Sequence, residues 1–358
     1  MDQTDRFIAQ AVRAQRGRLP RFRRRVGIQI TTRCSVGCGH CIWDCTGRGH
    51  DMPGAMLSDC LRQWRALDGA EEVGITGGEP FSRPALLAAA VTEAAALGLK
   101  ATVATSAVWA TTPVVARRRL AALPGLDLIA ISVDRFHLAR VAPAAIANAV
   151  RAARALGIGV RLMLVVSDPD LRPDLAGLEP YLFADIAPEW VILAGLLDAG
   201  RARAATPAPP DGAGAVCGGL DVPLVSTDGS VSVCCAYSAR GRRLAPFSRP
   251  GLAEAPLAKS LAEDDATYWI IHALRAGGPD LLVRLAGAAQ PIRRQDEPIC
   301  AFCARFFSDS ASVVRAREAM AEQAVREEIA KVLCTTRGDV EPLARFVVEL
   351  KPHPAWDT

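Results

Sequence analysis

From residue 26 to about residue 196 the chain alternates short apolar runs with longer amphipathic stretches, and this alternation constrains the fold more than any other feature. The runs Val26–Thr31, Glu72–Ile75, Ala101–Thr105, Leu126–Ser132, Gly159–Val166 and Trp190–Ala194 have strand length and strand composition. Between them, stretches near 56–67, 84–98, 113–122, 143–156 and 171–183 read as helices. Gly98, Gly125 and Gly157 stand where helices should stop, because glycine takes the left-handed backbone of a helix end at little cost. Strands alternating with helices predict a parallel sheet covered by helices. Six such units are too few for a closed eight-stranded barrel. The expected core is therefore α/β, a partial, TIM-like (β/α)6 barrel over residues 26–203.

Beyond it the pattern changes. The segment Gly200–Gly214 is rich in Ala, Pro and Arg, and 204–214 reads as a linker. Leu224–Ser226 and Val231–Val233 then flank Thr227-Asp228-Gly229-Ser230, a hairpin signature. Helical stretches follow near 253–263, 266–276 and 279–286, and a longer one from about 310 to 333. These predict a small α+β domain over 215–309 and a helical segment over 310–358. Residues 1–25 carry Arg13, Arg16, Arg18, Arg21, Arg23, Arg24 and Arg25. They are expected to form a basic arm, either solvated or a docking surface for an acidic partner.

A net charge of +4 over 358 residues is too weak to imply nucleic acid. Met1–Arg25 lacks the apolar centre of a secretory signal, and no uncharged apolar run is long enough to cross a membrane. The expected compartment is the cytoplasm. There, eleven cysteines are expected to hold metal rather than to pair. They fall into groups. Cys34, Cys38, Cys41 and Cys45 come first, then Cys60 alone, then Cys217, Cys234, Cys235, Cys300 and Cys303, with Cys334 last. Two groups of thiols suggest two metal sites.

The first group begins with CxxxCxxC in the loop after the first strand. Three thiolates can hold three irons of a [4Fe–4S] cube and leave the fourth iron open to a ligand. The alternative is a zinc loop with Cys45 as fourth ligand; otherwise Cys45 and Cys60 read as buried apolar side chains. Thr76-Gly77-Gly78-Glu79-Pro80 follows the second strand. Its glycines admit close approach of backbone to a ligand, and Glu79 offers an acceptor to an ammonium group. Thr105-Ser106-Ala107 follows the third strand, and Ser132-Val133-Asp134-Arg135-Phe136-His137 the fourth. Polar groups at the C-terminal ends of parallel strands are where barrel-like folds build their sites. His137 reads either as a capping or packing residue or as part of the pocket.

Taken together and in this order, these motifs resemble the radical S-adenosylmethionine (SAM) superfamily over roughly residues 26–203. The resemblance implies that Cys34, Cys38 and Cys41 bind a catalytic [4Fe–4S] cluster whose unique iron chelates SAM. It implies that Gly77, Gly78, Glu79 and Pro80 form the SAM motif, with Glu79 on the SAM amino group. Thr105, Ser106, Ser132 and Asp134 are then candidates for the ribose or the methionine end. Reduction of SAM by the cluster would yield a 5′-deoxyadenosyl radical that takes a hydrogen atom from substrate, with a flavodoxin- or ferredoxin-type electron donor as partner. Two departures stand out: His40 occupies a position often aromatic in the family, and Thr105-Ser106-Ala107 replaces a Thr-Asn-Gly motif.

The second group, Cys217 before the hairpin, Cys234 after it and Cys300-x-x-Cys303 later, resembles the SPASM and twitch extensions of the same superfamily. The resemblance implies one auxiliary [4Fe–4S] cluster on Cys217, Cys234, Cys300 and Cys303, with Cys235 as understudy to Cys234; a zinc site is the alternative. The expected activity is hydrogen-atom abstraction from a peptide or peptide-like natural product, leading to crosslinking, epimerisation or oxidation. A sugar or cyclitol dehydrogenase is the rival, and a non-catalytic iron–sulfur redox sensor the reading from another class. Only 33 residues precede Cys34, too few for a leader-binding domain with its own core, so a ribosomal peptide would be presented by a separate protein or met by the basic arm.

Overall fold

The computed structural model describes residues 2–14, 23–166, 170–195, 200–204, 219–234, 247–287, 297, 299–337 and 342. Six strands, β1 (Arg25–Thr31), β2 (Glu72–Gly77), β3 (Lys100–Thr105), β4 (Leu126–Ser132), β5 (Gly159–Val166) and β6 (Val191–Gly195), pair in parallel in chain order. This is the expected partial barrel. Strand β1 is buried from Val26 to Thr31, as a strand covered on both faces must be. Helices α2 (Gly54–Arg65), α3 (Pro84–Ala96) and α4 (Pro113–Ala121) connect the first four strands. The short α5 (Arg135–Leu138) and α6 (Pro143–Ala155) lie between β4 and β5. In α3, Leu87, Ala90, Val91 and Ala94 form the apolar stripe that meets the sheet. Proline stands in the first turn of α3, α4 and α6, where its missing N–H costs nothing. Gly98 and Gly157 both take φ +72° just past α3 and α6.

The helix expected over 171–183 is not formed. Short 3-10 turns at Pro173–Leu175 and Glu179–Tyr181 occupy that stretch. Pro173 and Pro180 cannot continue a helix, and Gly177 at φ +82° breaks it between them. The buried Asp174 carboxylate is instead used on Arg135, from backbone N and Nε at 2.9 Å each.

Part of the expected basic arm lies within the described residues. Residues Gln3–Ala14 form helix α1, with Phe7 and Ala11 buried in the core. Phe7 meets the ring of Phe183 edge-on at 5.4 Å. Three of the arginines are bound by the chain's own acids: Arg23 by Glu263, Arg24 by Glu71 at 3.2 Å and Arg25 by Glu72 at 2.6 Å. Arg16, Arg18 and Arg21, and the side chain of Arg13, lie outside the described residues.

The hairpin β7 (Leu224–Val225) and β8 (Val231–Ser232) turns at Gly229, φ +83°. Strand β7 lies parallel to β1 and occupies its free edge, and β9 (Ser248–Arg249) completes a nine-stranded sheet. The hairpin is thus built directly onto the barrel's sheet. Beside it, Gly27 N donates to Pro223 O at 2.8 Å, and the buried Arg275 binds the buried Asp221 at 2.6 Å. Helices α7 (Leu257–Leu261), α8 (Asp265–Leu285) and α9 (Ile299–Ser308) follow. Gly277 and Gly278 break α8 just before Pro279, between the two stretches read from sequence. The expected long helix from 310 is likewise two, α10 (Ser310–Ala319) and α11 (Gln323–Arg337), and both pack on α8. The expected linker lies outside the described residues from 205 to 214.

Candidate active site

The loop between β1 and α2 carries the first thiols, and its geometry is set at three points. At its base Cys34 N donates to Thr46 O at 2.8 Å. Against the β2 loop, Gly78 N donates to Thr31 O at 2.7 Å and Glu79 N to Arg33 O at 2.8 Å. On the far side Arg201, just after β6, donates from N to Cys41 O (3.0 Å), from Nε to Cys38 O (3.1 Å) and from Nη2 to Cys45 O (3.3 Å). The loop places Cys34, Cys38, Cys41 and Cys45 along one cavity of about 260 Å³. Thr76, Gly77, Gly78, Thr105, Ser106, Ser132 and His137 line its other walls. All come from the C-terminal ends of the strands or from the loops that follow them.

The thiols interact. Those of Cys38 and Cys45 both donate to the sulfur of Cys41, which holds Cys41 well below the ordinary thiol range and raises the two donors. Burial pushes Cys34 up. Cys60, buried in α2 away from this loop, is pushed up to about 12 by the same cause. A shared proton set of this kind is what a metal centre replaces on binding. Among the described residues, the set of three donors lying within 4.8 Å of one another is His40, Asp134 and His137, and no three thiols meet that test. A single tetrahedral zinc, with Zn–S near 2.3 Å, requires sulfurs about 3.8 Å apart.

The glycines of the β2 loop are demanded by the chain itself. A Cβ on Gly77 would lie 2.3 Å from Thr31 O, and one on Gly78 would lie 2.1 Å from Arg33 O. They let the thiol loop rest on the β2 loop. Gly77 also takes φ +154°. Glu79 is buried behind the cavity wall. Its Oε1 accepts from Thr105 Oγ1 (2.8 Å) and Phe81 N (3.2 Å), and its Oε2 from Ser106 N (2.9 Å) and Ser106 Oγ (2.5 Å). Burial raises its carboxyl pKa, an effect the Ser106 and Thr105 donors oppose. Pro80, itself buried, begins the turn Pro80–Ser82 that Glu79 caps.

Asp134 also stands behind the wall. Its Oδ1 caps α5 through Phe136 N (3.0 Å) and His137 N (2.9 Å). Its Oδ2 meets His137 Nδ1 at 2.9 Å and His40 Nε2 at 3.4 Å. Burial alone would raise its pKa, but hydrogen bonds from His137 and His40 more than offset that and hold it well below the usual carboxylate range. His40 stacks on Phe136, ring centroids 4.6 Å apart. Both imidazoles line the cavity.

In the second thiol group, Cys234 directly follows β8 and is buried; Cys300 and Cys303 are buried on α9. Val233 N donates to Phe247 O at 3.1 Å, and the Phe247 ring meets Phe307 edge-on at 4.8 Å. Cys300, Cys303 and Phe307 are spaced i, i+3 and i+7, so they share one face of α9. That face is packed toward the segment beside Cys234. Cys217 and Cys235 lie outside the described residues.

No protein-family model matches the chain, and no curated protein matches it significantly. Solved structures do. Streptococcus suis SuiB bound to precursor peptide SuiA matches with a TM-score of 0.53 at 14% identity, over 83% of this chain and 79% of that one. SuiB bound to S-adenosylmethionine matches with a TM-score of 0.50 at 14% identity, over 83% and 80%. The chain has the radical SAM fold.

Within that radical SAM fold, the residues singled out from sequence divide into two sets. Cys34, Cys38, Cys41, Gly77, Gly78, Thr105, Ser106 and Ser132 line the cavity, whereas Glu79, Pro80 and Asp134 support it from behind. Two further participants stand outside the cluster and SAM residues read from sequence, although Cys45 is offered there as a zinc ligand. Cys45 lines the cavity instead of packing as a bystander, and the signal was its regular spacing after Cys41. Arg201 clamps the loop from far along the chain, and no local pattern marks it.

Proposed function

We propose that this chain is a radical SAM enzyme that abstracts a hydrogen atom from a peptide or peptide-like substrate. The observation that carries the reading is the convergence of Cys34, Cys38 and Cys41 on one cavity at the C-terminal ends of six parallel strands. In this reading these three thiolates hold a [4Fe–4S] cluster with one iron left to SAM. When bound, the cluster supplies the electron that cleaves SAM to the 5′-deoxyadenosyl radical. The chain's own part is to bind, orient and exclude water. Ser132 offers a hydroxyl to SAM and Gly77 and Gly78 offer backbone, while Thr105 and Ser106, whose hydroxyl protons go to Glu79, shape the wall beside them. Glu79 acts one layer back, fixing Thr105 and Ser106 with its two oxygens. Asp134 likewise fixes His137 and His40 at the cavity.

The peptide substrate is supported by the match to SuiB bound to its precursor peptide. The pairing of Arg23, Arg24 and Arg25 with the chain's own acids favours presentation of a leader by a separate protein. A flavodoxin- or ferredoxin-type protein would be the electron donor. A single auxiliary [4Fe–4S] cluster on Cys217, Cys234, Cys300 and Cys303 would serve the same reaction by accepting an electron from, or orienting, the substrate radical. Among the described residues no helix is long and apolar enough to cross a membrane. The test is to incubate the reconstituted, reduced protein with SAM and with short peptides encoded beside its gene. A peptide mass change that accompanies 5′-deoxyadenosine formation supports the reading; cleavage of SAM with no peptide modified, but with a sugar or cyclitol alcohol oxidised, replaces the substrate class.

A further inference from the structure

The cavity holds four thiols, and the proposed function uses three. Cys45 is nearly completely buried, lines the same cavity as Cys34, Cys38 and Cys41, and donates to the sulfur of Cys41. Two features outside the thiols put it there. Asp44 takes a left-handed backbone at φ +52°, uncommon for a residue with a side chain, and turns the chain back at the residue before Cys45. Arg201 then holds the carbonyls of Cys38, Cys41 and Cys45 together from the end of β6 and reaches Asp44 at 3.7 Å. A cysteine that served only to fill apolar space would need neither the turn nor the clamp, as Cys60 in α2 shows.

We propose that Cys45 is an exchangeable fourth protein ligand of the cluster, bound to the unique iron in the absence of SAM and displaced when SAM binds. This rests on the reading of the cavity as a cluster site. The exchange balances without redox change. The iron–sulfur bond to Cys45 breaks, the amino and carboxylate groups of SAM take the vacated positions, and the released thiolate takes a proton from solvent. A site closed in this way keeps its fourth iron when no SAM is present. Its cost is affinity, because SAM must compete with a tethered thiolate; if Cys45 holds the iron about nine-tenths of the time, apparent SAM binding is weakened about tenfold.

The experiment uses the full-length reconstituted protein, wild type, Cys45→Ser and Cys45→Ala, each reduced and measured by electron paramagnetic resonance with and without SAM. The difference between the two spectra isolates the SAM-responsive cluster from any second one. The expected result has three parts. The SAM-free signals of the variants differ from wild type, while the SAM-bound signals coincide. Apparent SAM affinity rises in Cys45→Ala by up to about tenfold. Mild oxidation without SAM converts the cluster of Cys45→Ala to a [3Fe–4S] signal while wild type retains four irons. Identical SAM-free spectra and identical SAM affinity in all three proteins overturn the proposal and leave the radical SAM reading intact. Loss of the whole cluster in both variants, with circular dichroism unchanged, also overturns it, since Cys45 would then be a permanent ligand. Absence of any SAM effect on wild type would instead reject the function proposed above.

Discussion

The two thiol regions are built in opposite ways. In the β1 loop, four cysteines fall within twelve residues, and local turns plus one distant arginine bring them to a single cavity. In the C-terminal region, Cys234 and the Cys300–Cys303 pair are separated, among the described residues, by β9 and the helices α7 and α8, and tertiary packing, including Phe247 against Phe307, relates them. The first region opens to a cavity lined by glycine backbone and hydroxyls. The second is packed among apolar side chains, with Phe302, Phe306 and Phe307 buried beside its thiols on α9. An open site suits a ligand that must enter and leave, and a closed one suits a group that stays. In the reading proposed above, SAM chemistry belongs to the first and a resident auxiliary group to the second.

The sharpest way to break it is to remove the first set. Cys34, Cys38 and Cys41 replaced together by Ala should abolish 5′-deoxyadenosine formation and leave roughly half the iron, since each cube is expected on its own thiols. Iron analysis and product chromatography on the same sample check both halves. Removing the second set should behave differently. Cys300→Ala with Cys303→Ala should again lose roughly half the iron, yet SAM cleavage should continue without product from substrate. Zinc in place of iron in that region, found by metal analysis of the first triple variant, would end the symmetry between the two sites.

How much of this could be read from the chain alone follows the same division. The strands β1 to β6 were legible because apolar runs of strand length punctuated by glycine have one economical reading. The thiol loop and the motifs after β2, β3 and β4 were legible as site residues because each sits where a parallel strand ends. Their roles were less so. Glu79 looked like a ligand contact because an isolated carboxylate after a strand has no visible partner, but Thr105, Ser106 and Phe81 together make four hydrogen bonds to its two oxygens. Gly78 looked like an approach for ligand, and the neighbour that requires it is Arg33. Asp134 reads from sequence as a candidate SAM contact, whereas in the fold His40 from a different loop and His137 from its own turn bind its carboxylate. In each case the deciding contact is long-range or folds back, and local spacing carries no trace of it. The helix expected over 171–183 failed for the opposite reason, because its prolines and Gly177 were in plain view and were outweighed by apolar periodicity.

Smaller effects refine the first region. Gly78→Ala places a methyl against Arg33 O, so the thiol loop must shift. It should cost about 1–3 kcal/mol of stability and lower iron in the first site while sparing the second, read by thermal unfolding and by the SAM-responsive resonance signal. Asp134→Asn should cost about 1.5–3 kcal/mol at neutral pH by weakening charge-assisted bonds to His137 and His40. The sign with pH follows from the depressed carboxyl of Asp134. Its contribution is fully present above the unfolded carboxylate value of about 3.9, and it is lost as pH falls through the lower folded value. The gap between wild type and variant should therefore be constant from neutral pH down to that range and close only in stronger acid. A gap that closes near neutral pH would contradict this assignment to Asp134.

The most direct test of the account is the fate of SAM on the intact protein. Reconstituted with iron and sulfide, reduced and given SAM, the wild-type chain should release 5′-deoxyadenosine, and Cys300→Ala with Cys303→Ala should release it as well. A wild-type protein that holds a [4Fe–4S] cluster on Cys34, Cys38 and Cys41 yet leaves SAM intact under strong reduction would contradict it.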